Sequence, residues 1–145
     1  MSIRFDDKVV IVTGAGGGLG KEHAIEFAKR GAKVVVNDLG SSVDGSGASD
    51  SANEVVENIK STGGEAIASG ASVTDLNAVK EMVNEAMEKW GRVDVLVNNA
   101  GILRDKSFHK MSIEDFNLVM SVHFEGTLNC THTVFPIMSC LLYTS

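Results

Sequence analysis

The segment Thr13-Gly-Ala-Gly-Gly-Gly-Leu-Gly20 follows directly on the apolar run Val9-Val-Ile-Val12. A strand that empties into a glycine-dense turn presents bare backbone N–H groups, and the chemistry such a turn performs is the holding of phosphate oxygens. Three glycines have separate tasks there. Gly14 takes a backbone conformation closed to side chains, Gly18 lets the main chain approach a pyrophosphate, and Gly20 lets the next helix pack closely on the strand. Leu19 opens that helix, whose first-turn N–H groups and positive dipole end face the phosphates. The spacing is T-G-x-x-x-G-x-G rather than G-x-G-x-x-G, so its setting between a strand and an amphipathic helix carries the reading. A glycine-rich surface turn without a ligand is the alternative.

A second chemical group stands at the end of the next β-branched run, Lys33-Val-Val-Val-Asn-Asp38. Asp38 lies at about the 20-residue distance past the glycines at which a carboxylate accepts hydrogen bonds from an adenosine ribose. A 2′-phosphate would meet a like charge there, and no Arg or Lys lies within Thr13 to Gly20 or immediately after Asp38 to offset it. NAD is therefore expected rather than NADP. The competing reading makes Asp38 an ordinary turn residue at a strand end.

These groups need elements to position them, and the chain alternates strand-like and helical patterns in the order that builds a parallel sheet. Leu19 to Arg30 reads as the first helix, with Ala24, Ile25, Phe27 and Ala28 as its apolar stripe. Gly40 to Ala48 reads as a loop, Ser49 to Ser61 as a helix stopped by Gly63-Gly64, and Glu65 to Ala68 as a third strand. Thr74 is the expected cap of a helix whose Val79, Met82, Val83, Ala86, Met87 and Trp90 form a core stripe, ended by Gly91. Arg92 to Val97 is the expected fourth strand. Ser112 starts a further helix that continues through Phe116, Val119, Met120 and Phe124 towards Met138. Right-handed crossovers then give an α/β fold, a doubly wound parallel sheet of Rossmann type in spatial order 3-2-1-4, with a ligand over the switch between strands one and four.

Composition narrows the class. The 145 residues, 43% hydrophobic and 22% charged, make one domain without repeats or low-complexity tracts. A net charge of −6 and a pI near 5.1 argue against nucleic acid as a partner. The polar start, Met1-Ser-Ile-Arg-Phe-Asp-Asp-Lys8, is not a signal peptide, and no apolar run reaches membrane-spanning length. A cytoplasmic or matrix location is expected. Cys130 and Cys140 form neither a metal site nor a disulfide framework, and His23, His109, His123 and His132 lack ligand spacing.

Thr13-Gly14 with Gly18 and Gly20 after the first strand, Asp38 after the second and Asn98-Asn-Ala-Gly101 after the fourth together resemble the short-chain dehydrogenase/reductase family. Thr13 to Ala24, Val34 to Gly40 and Asn98 to Asp105 are similar to the (3R)-hydroxyacyl-CoA dehydrogenase branch found in multifunctional enzymes of β-oxidation. The resemblance implies an NAD-dependent oxidoreductase that interconverts a secondary alcohol and a ketone, with 3-hydroxyacyl-CoA and 3-oxoacyl-CoA as the expected pair, and a homodimer or homotetramer as the full-length protein. In a eukaryote it implies the peroxisomal matrix. It also places Asn98, Ala100 and Gly101 along the nicotinamide half of NAD. Where many members have an Asp for the adenine amino group, this chain has Ala71-Ser72-Val73, so Ser72 and the Val73 backbone become the expected adenine contacts.

His123 stands where most members have an Asn of the proton relay, though the β-oxidation branch also has His. The imidazole is a candidate relay, and equally a helix histidine satisfied by a backbone carbonyl. Arg104, Lys106 and Lys110 form a basic stretch, either a meeting point for an anionic thioester or a solvated loop. The family's catalytic Ser and Tyr-x-x-x-Lys are expected downstream of this segment, so residues 1–139 read as the amino-terminal, NAD-binding half, inactive by itself. Its fourth strand and last helix are expected to leave an open edge and an apolar face. Residues 140–145, Cys-Leu-Leu-Tyr-Thr-Ser, carry no resemblance and read as a non-native tail. A non-catalytic redox sensor, a 3-oxoacyl-carrier-protein reductase and a sugar or steroid dehydrogenase remain as alternatives on the same fold.

Overall fold

The computed structural model describes residues 3–40 and 50–141. Strand β1 (Val9–Thr13) is buried along its whole length, which its unbroken β-branched run requires of a strand covered on both faces. It lies between β2 (Lys33–Asn37) and β4 (Val95–Val97), and β3 (Glu65–Ser69) pairs outside β2. All pairings are parallel, with Ile11 opposite Val35 and Leu96. The order 3-2-1-4 is the one expected.

Side chains alternate across the sheet and build two cores. Val10, Val12, Val34 and Val36 pack with Ala24 of α1 (Gly18–Lys29) and with Val55 and Ile59 of α2 (Asp50–Ser61). On the other face Val9, Ile11 and Val35 meet Val79, Met82, Val83 and Ala86 of α3 (Leu76–Trp90) and Cys130 and Val134 of α5 (Gly126–Leu141). Between α3 and α5 run a 3-10 turn (Phe108–Lys110), α4 (Ile113–Met120) and a π-turn (Ser121–Glu125) that continues without a break into α5. Gly91, at φ +73°, ends α3 as expected, and Ser112 caps α4 by accepting from Asp115 N–H at 3.0 Å.

Two local expectations are corrected. Asp75, not Thr74, caps α3, because its carboxylate accepts from the N–H groups of Asn77 (2.9 Å) and Ala78 (3.2 Å) while the Thr74 hydroxyl pairs with Ser72. The fourth strand is three residues long instead of running from Arg92. Asp94 turns its carboxylate onto Val9 N–H at 2.9 Å and is gripped by Arg92, so the Val9 donor is lost to the ladder.

α5 runs past Met138 to Leu141, so Cys140 and Leu141 of the expected tail are helical, and 142–145 lie outside the described residues. The loop expected from Gly40 to Ala48 lies outside them after Gly40. Phe116, Phe124, Leu128 and Phe135 are exposed along α4, the π-turn and α5, as the amphipathic reading expects. No helix among the described residues is long and apolar enough to cross a membrane.

Candidate functional site

The carboxyl ends of β1 and β4 part where the chain turns to opposite faces of the sheet, and the glycine turn lies in that cleft. Gly14 (φ +63°) adopts the left-handed conformation expected of it, and Gly18 (φ +53°) adopts it as well. Ala15 N–H donates to Asn37 O at 2.8 Å, and Gly16 N–H to Asp38 Oδ2 at 2.9 Å. The first turn of α1 then has neither a side-chain cap nor an acidic residue. A side chain at Gly17 or Gly18 would meet nothing within 4 Å, so backbone faces open space at the positive end of a helix. That is the donor set a pyrophosphate requires, and the residues present fit a dinucleotide. Leu19 is 73% exposed beside the opening.

Gly20 lies against Gly14 O and the Asn99 amide, where any Cβ would overlap both. Asn99 is the residue that sequence reasoning missed. Its Nδ2 donates to Thr13 O and Gly14 O, each at 3.0 Å, while Thr13 Oγ1 accepts from Asn99 N–H (3.1 Å) and Ala100 N–H (3.0 Å). Thr13 is buried. These four bonds lash the turn after β1 to the segment after β4, and the paired Asn-Asn motif was the only local signal for them. Asn37, equally buried, was missed as well: its amide donates to Ser69 O and Ala71 O, which ties the ends of β2 and β3 and releases Asp38 into the cleft.

Asp38 is held at both oxygens, Oδ2 by Gly16 N–H and Oδ1 by Gly40 N–H at 2.8 Å. Each oxygen keeps a lone pair for a ribose hydroxyl. Gly14, Asp38, Ser72, Val73, Ala100 and Gly101 line one cavity of about 350 Å³. The structure thus brings Ala100 and Gly101 beside Asp38 and Ser72, with Ile102, Leu118 and Val122 as an apolar wall suited to a flat base. The Val73 carbonyl is taken by Asn129 Nδ2 at 2.9 Å, and Ser72 Oγ by Thr74. Asn98 is not in this group, since its exposed amide donates to Thr131 Oγ1 of α5 at 3.1 Å. His123 places Nε2 at 3.0 Å from Ile102 N and 2.9 Å from Ile102 O, which is the backbone-satisfied arrangement.

Of the basic stretch, Lys106 and Arg104 reach Asp115 at 2.6 and 3.6 Å. A bond from the Lys106 ammonium, against the cost of desolvation and helped by the Ser112 side chain and the Arg104 charge, holds the Asp115 carboxyl below its usual range. Two of the three cations are therefore spent on the first turn of α4. A second cavity of about 390 Å³ opens between β3 and α3, but Asp75, Glu81 and Glu85 line it and oppose a diphosphate. Among the described residues no cluster of three or more His, Cys, Asp or Glu is placed to hold a metal.

A family model described as short chain dehydrogenase matches residues 8–140. The chain is 58% identical over 139 residues to peroxisomal multifunctional enzyme A of Dictyostelium discoideum, covering 95% of itself and 31% of that protein. It superposes on a short chain dehydrogenase from Mycobacterium avium with a TM-score of 0.88 at 44% identity, covering 97% of itself and 50% of that chain. A 7α-hydroxysteroid dehydrogenase solved with NADH and 7-oxo glycochenodeoxycholic acid gives 0.84 at 38% identity, over 95% of this chain and 51% of its own. The chain spans about a third of the curated relative and half of each solved chain.

Proposed function

From its membership of the short chain dehydrogenase family, to which this chain belongs, we propose that it carries the NAD-binding part of a dehydrogenase that interconverts a secondary alcohol and a ketone. One observation carries the reading: the Asp38 carboxylate stands beside the open start of α1, tied to it through Gly16 N–H. A dinucleotide whose pyrophosphate rests on that helix brings its ribose hydroxyls to Asp38, whereas a 2′-phosphate meets a like charge. The bound nicotinamide supplies the hydride acceptor. This chain's residues do the holding: Gly14, Gly18, Leu19 and Gly20 at the pyrophosphate, Asp38 at the ribose, Ser72 and Val73 at the adenine, and Asn98, Ala100 and Gly101 along the nicotinamide half.

Resemblance to the β-oxidation branch supports 3-hydroxyacyl-CoA and 3-oxoacyl-CoA as the substrate pair, a peroxisomal matrix setting in a eukaryote, and a homodimer or homotetramer for the whole protein. Fluorescence titration of the chain with NADH and NADPH tests the cofactor assignment, with NADPH expected to bind at least about tenfold more weakly, or about 1.4 kcal/mol. Equal affinities refute the preference for NAD, and failure of both to bind refutes the dinucleotide reading.

A further inference from the structure

We propose that the base-binding end of the cleft does not distinguish a 6-amino from a 6-oxo purine, so that this chain takes a dinucleotide carrying hypoxanthine as readily as one carrying adenine. The proposal rests on the dinucleotide reading and extends it to the class of base the cofactor can have.

The segment after β3 decides this, because the rest of the chain has already oriented its polar groups. Ala71 O accepts from Asn37 Nδ2 at 2.9 Å, Ser72 O from Asp75 N–H at 3.1 Å and Val73 O from Asn129 Nδ2 at 2.9 Å. Three successive carbonyls are thus turned onto donors from β2, from the cap of α3 and from α5. In a trans peptide the N–H points opposite to the carbonyl, so tying Ala71 O and Ser72 O also aims the N–H groups of Ser72 and Val73. Among the described residues neither of these N–H groups meets an acceptor, and both residues line the cavity of about 350 Å³ that holds Asp38. Turning either peptide over to offer a carbonyl would break the bond from the buried Asn37 or the one that starts α3.

Fixed acceptors near the segment are engaged as well. Asp38 holds the N–H groups of Gly16 and Gly40, and Asp75 caps α3. What remains beside the two N–H groups is the Ser72 hydroxyl, 2.9 Å from Thr74 Oγ1 in a pair where either oxygen can donate. A base edge therefore meets donors of one sense and a hydroxyl of either sense. N7 is an acceptor in every purine, and the group on C6 is a donor in adenine and an acceptor in a 6-oxo base. A main-chain N–H on N7 leaves the differing position to Ser72 Oγ, which accepts from the amino group or donates to O6. On the N1 side the bases exchange roles, with N1 accepting and the amino group donating in adenine, O6 accepting and N1–H donating in hypoxanthine. Two successive N–H groups give either position its donor.

The test titrates the complete 145-residue chain with NADH and with reduced nicotinamide hypoxanthine dinucleotide, both followed by dihydronicotinamide fluorescence. Dissociation constants within about threefold of each other are expected, because neither base leaves a donor or acceptor stranded. A larger preference for either nucleotide overturns the proposal, and this measurement needs no variant. Ser72→Asp replaces the reversible hydroxyl by a permanent acceptor and still accepts from Thr74 N–H, which reaches Ser72 Oγ at 3.4 Å. It is expected to shift the ratio to about tenfold in favour of NADH, since O6 then meets a carboxylate. A folded Ser72→Asp chain whose ratio stays within about threefold overturns the proposal. Failure of NADH to bind the wild-type chain refutes the dinucleotide reading itself, an outcome distinct from NADH binding with rejection of the hypoxanthine form.

Discussion

Removing the Asp38 carboxylate should change cofactor choice and the glycine turn together, and the two effects can be separated. In Asp38→Ala the N–H groups of Gly16 and Gly40 lose acceptors at 2.9 and 2.8 Å, and the ribose loses its own. An unsatisfied, partly buried donor costs about 1–3 kcal/mol, with charge-assisted bonds at the upper end. Ribose binding alone should therefore weaken NADH by about 1–3 kcal/mol, or about 5- to 150-fold. NADPH should lose less or gain, since the like charge facing its 2′-phosphate has gone. Asp38→Asn is the control: one amide oxygen still accepts, but the NH2 group faces a backbone N–H, so the turn loses a bond without a change in shape. Titration with both nucleotides gives discrimination. Urea unfolding followed by Trp90, the single tryptophan, gives stability separately. An NADH-to-NADPH ratio within twofold of wild type, alongside a measured loss of stability, would refute the ribose assignment and leave Asp38 as a strut of the turn.

Thr13→Val keeps the shape but removes the oxygen that accepts from Asn99 and Ala100 N–H, and should cost about 1–3 kcal/mol in urea unfolding; an unchanged midpoint contradicts the lashing described above. Burial raises the Asp94 carboxyl, but bonds from Arg92 and Val9 N–H outweigh it and leave the net value lowered. The stability this gives is whole above the ordinary aspartate value of about 4 and is lost as pH falls through the lower folded value, so Asp94→Asn should flatten the acid side of a stability profile. Burial pushes the Cys130 thiol up to about 11, so at pH 8 a disulfide reagent should modify the exposed Cys140 first and reach Cys130 only as the chain unfolds; rapid modification of both in the native state contradicts the packing of α5.

The alternation of apolar runs made the sheet order legible, because βαβ crossovers of one hand leave little choice once β1 to β4 are recognised. Thr74 and Asp75 show where local pattern stopped: both can cap a helix, and the pairing of Thr74 with Ser72 decides between them, a contact outside any helix periodicity. The fourth strand was overextended for a similar reason, since Val93 is buried like a strand residue while Asp94 diverts the ladder. The bonding between Asn99 and Thr13 was invisible for a stronger one. Their bonds join residues more than 80 positions apart, and no window of sequence contains both partners.

The glycines combine both cases. Gly14 and Gly18 are readable because their requirement is their own backbone. At Gly16, Gly20, Gly101 and Gly126 the requirement belongs to something else: Asp38 and Ser51, Asn99, His123 and Val73 respectively occupy the space a side chain would take. A motif can thus be recognised while its reason lies elsewhere in the chain. It follows that substitutions at Gly16, Gly101 and Gly126 should be rescued by shrinking the partner and not by relaxing the local backbone, whereas shrinking Asn99 should not rescue Gly20, where the Gly14 carbonyl also stands in the way, and no distant change should rescue a side chain at Gly14, where φ is +63°. The cleft is assembled from such pairs, each setting one wall against another, and its shape is therefore a property of the docked sheet and helices and not of the glycine turn alone.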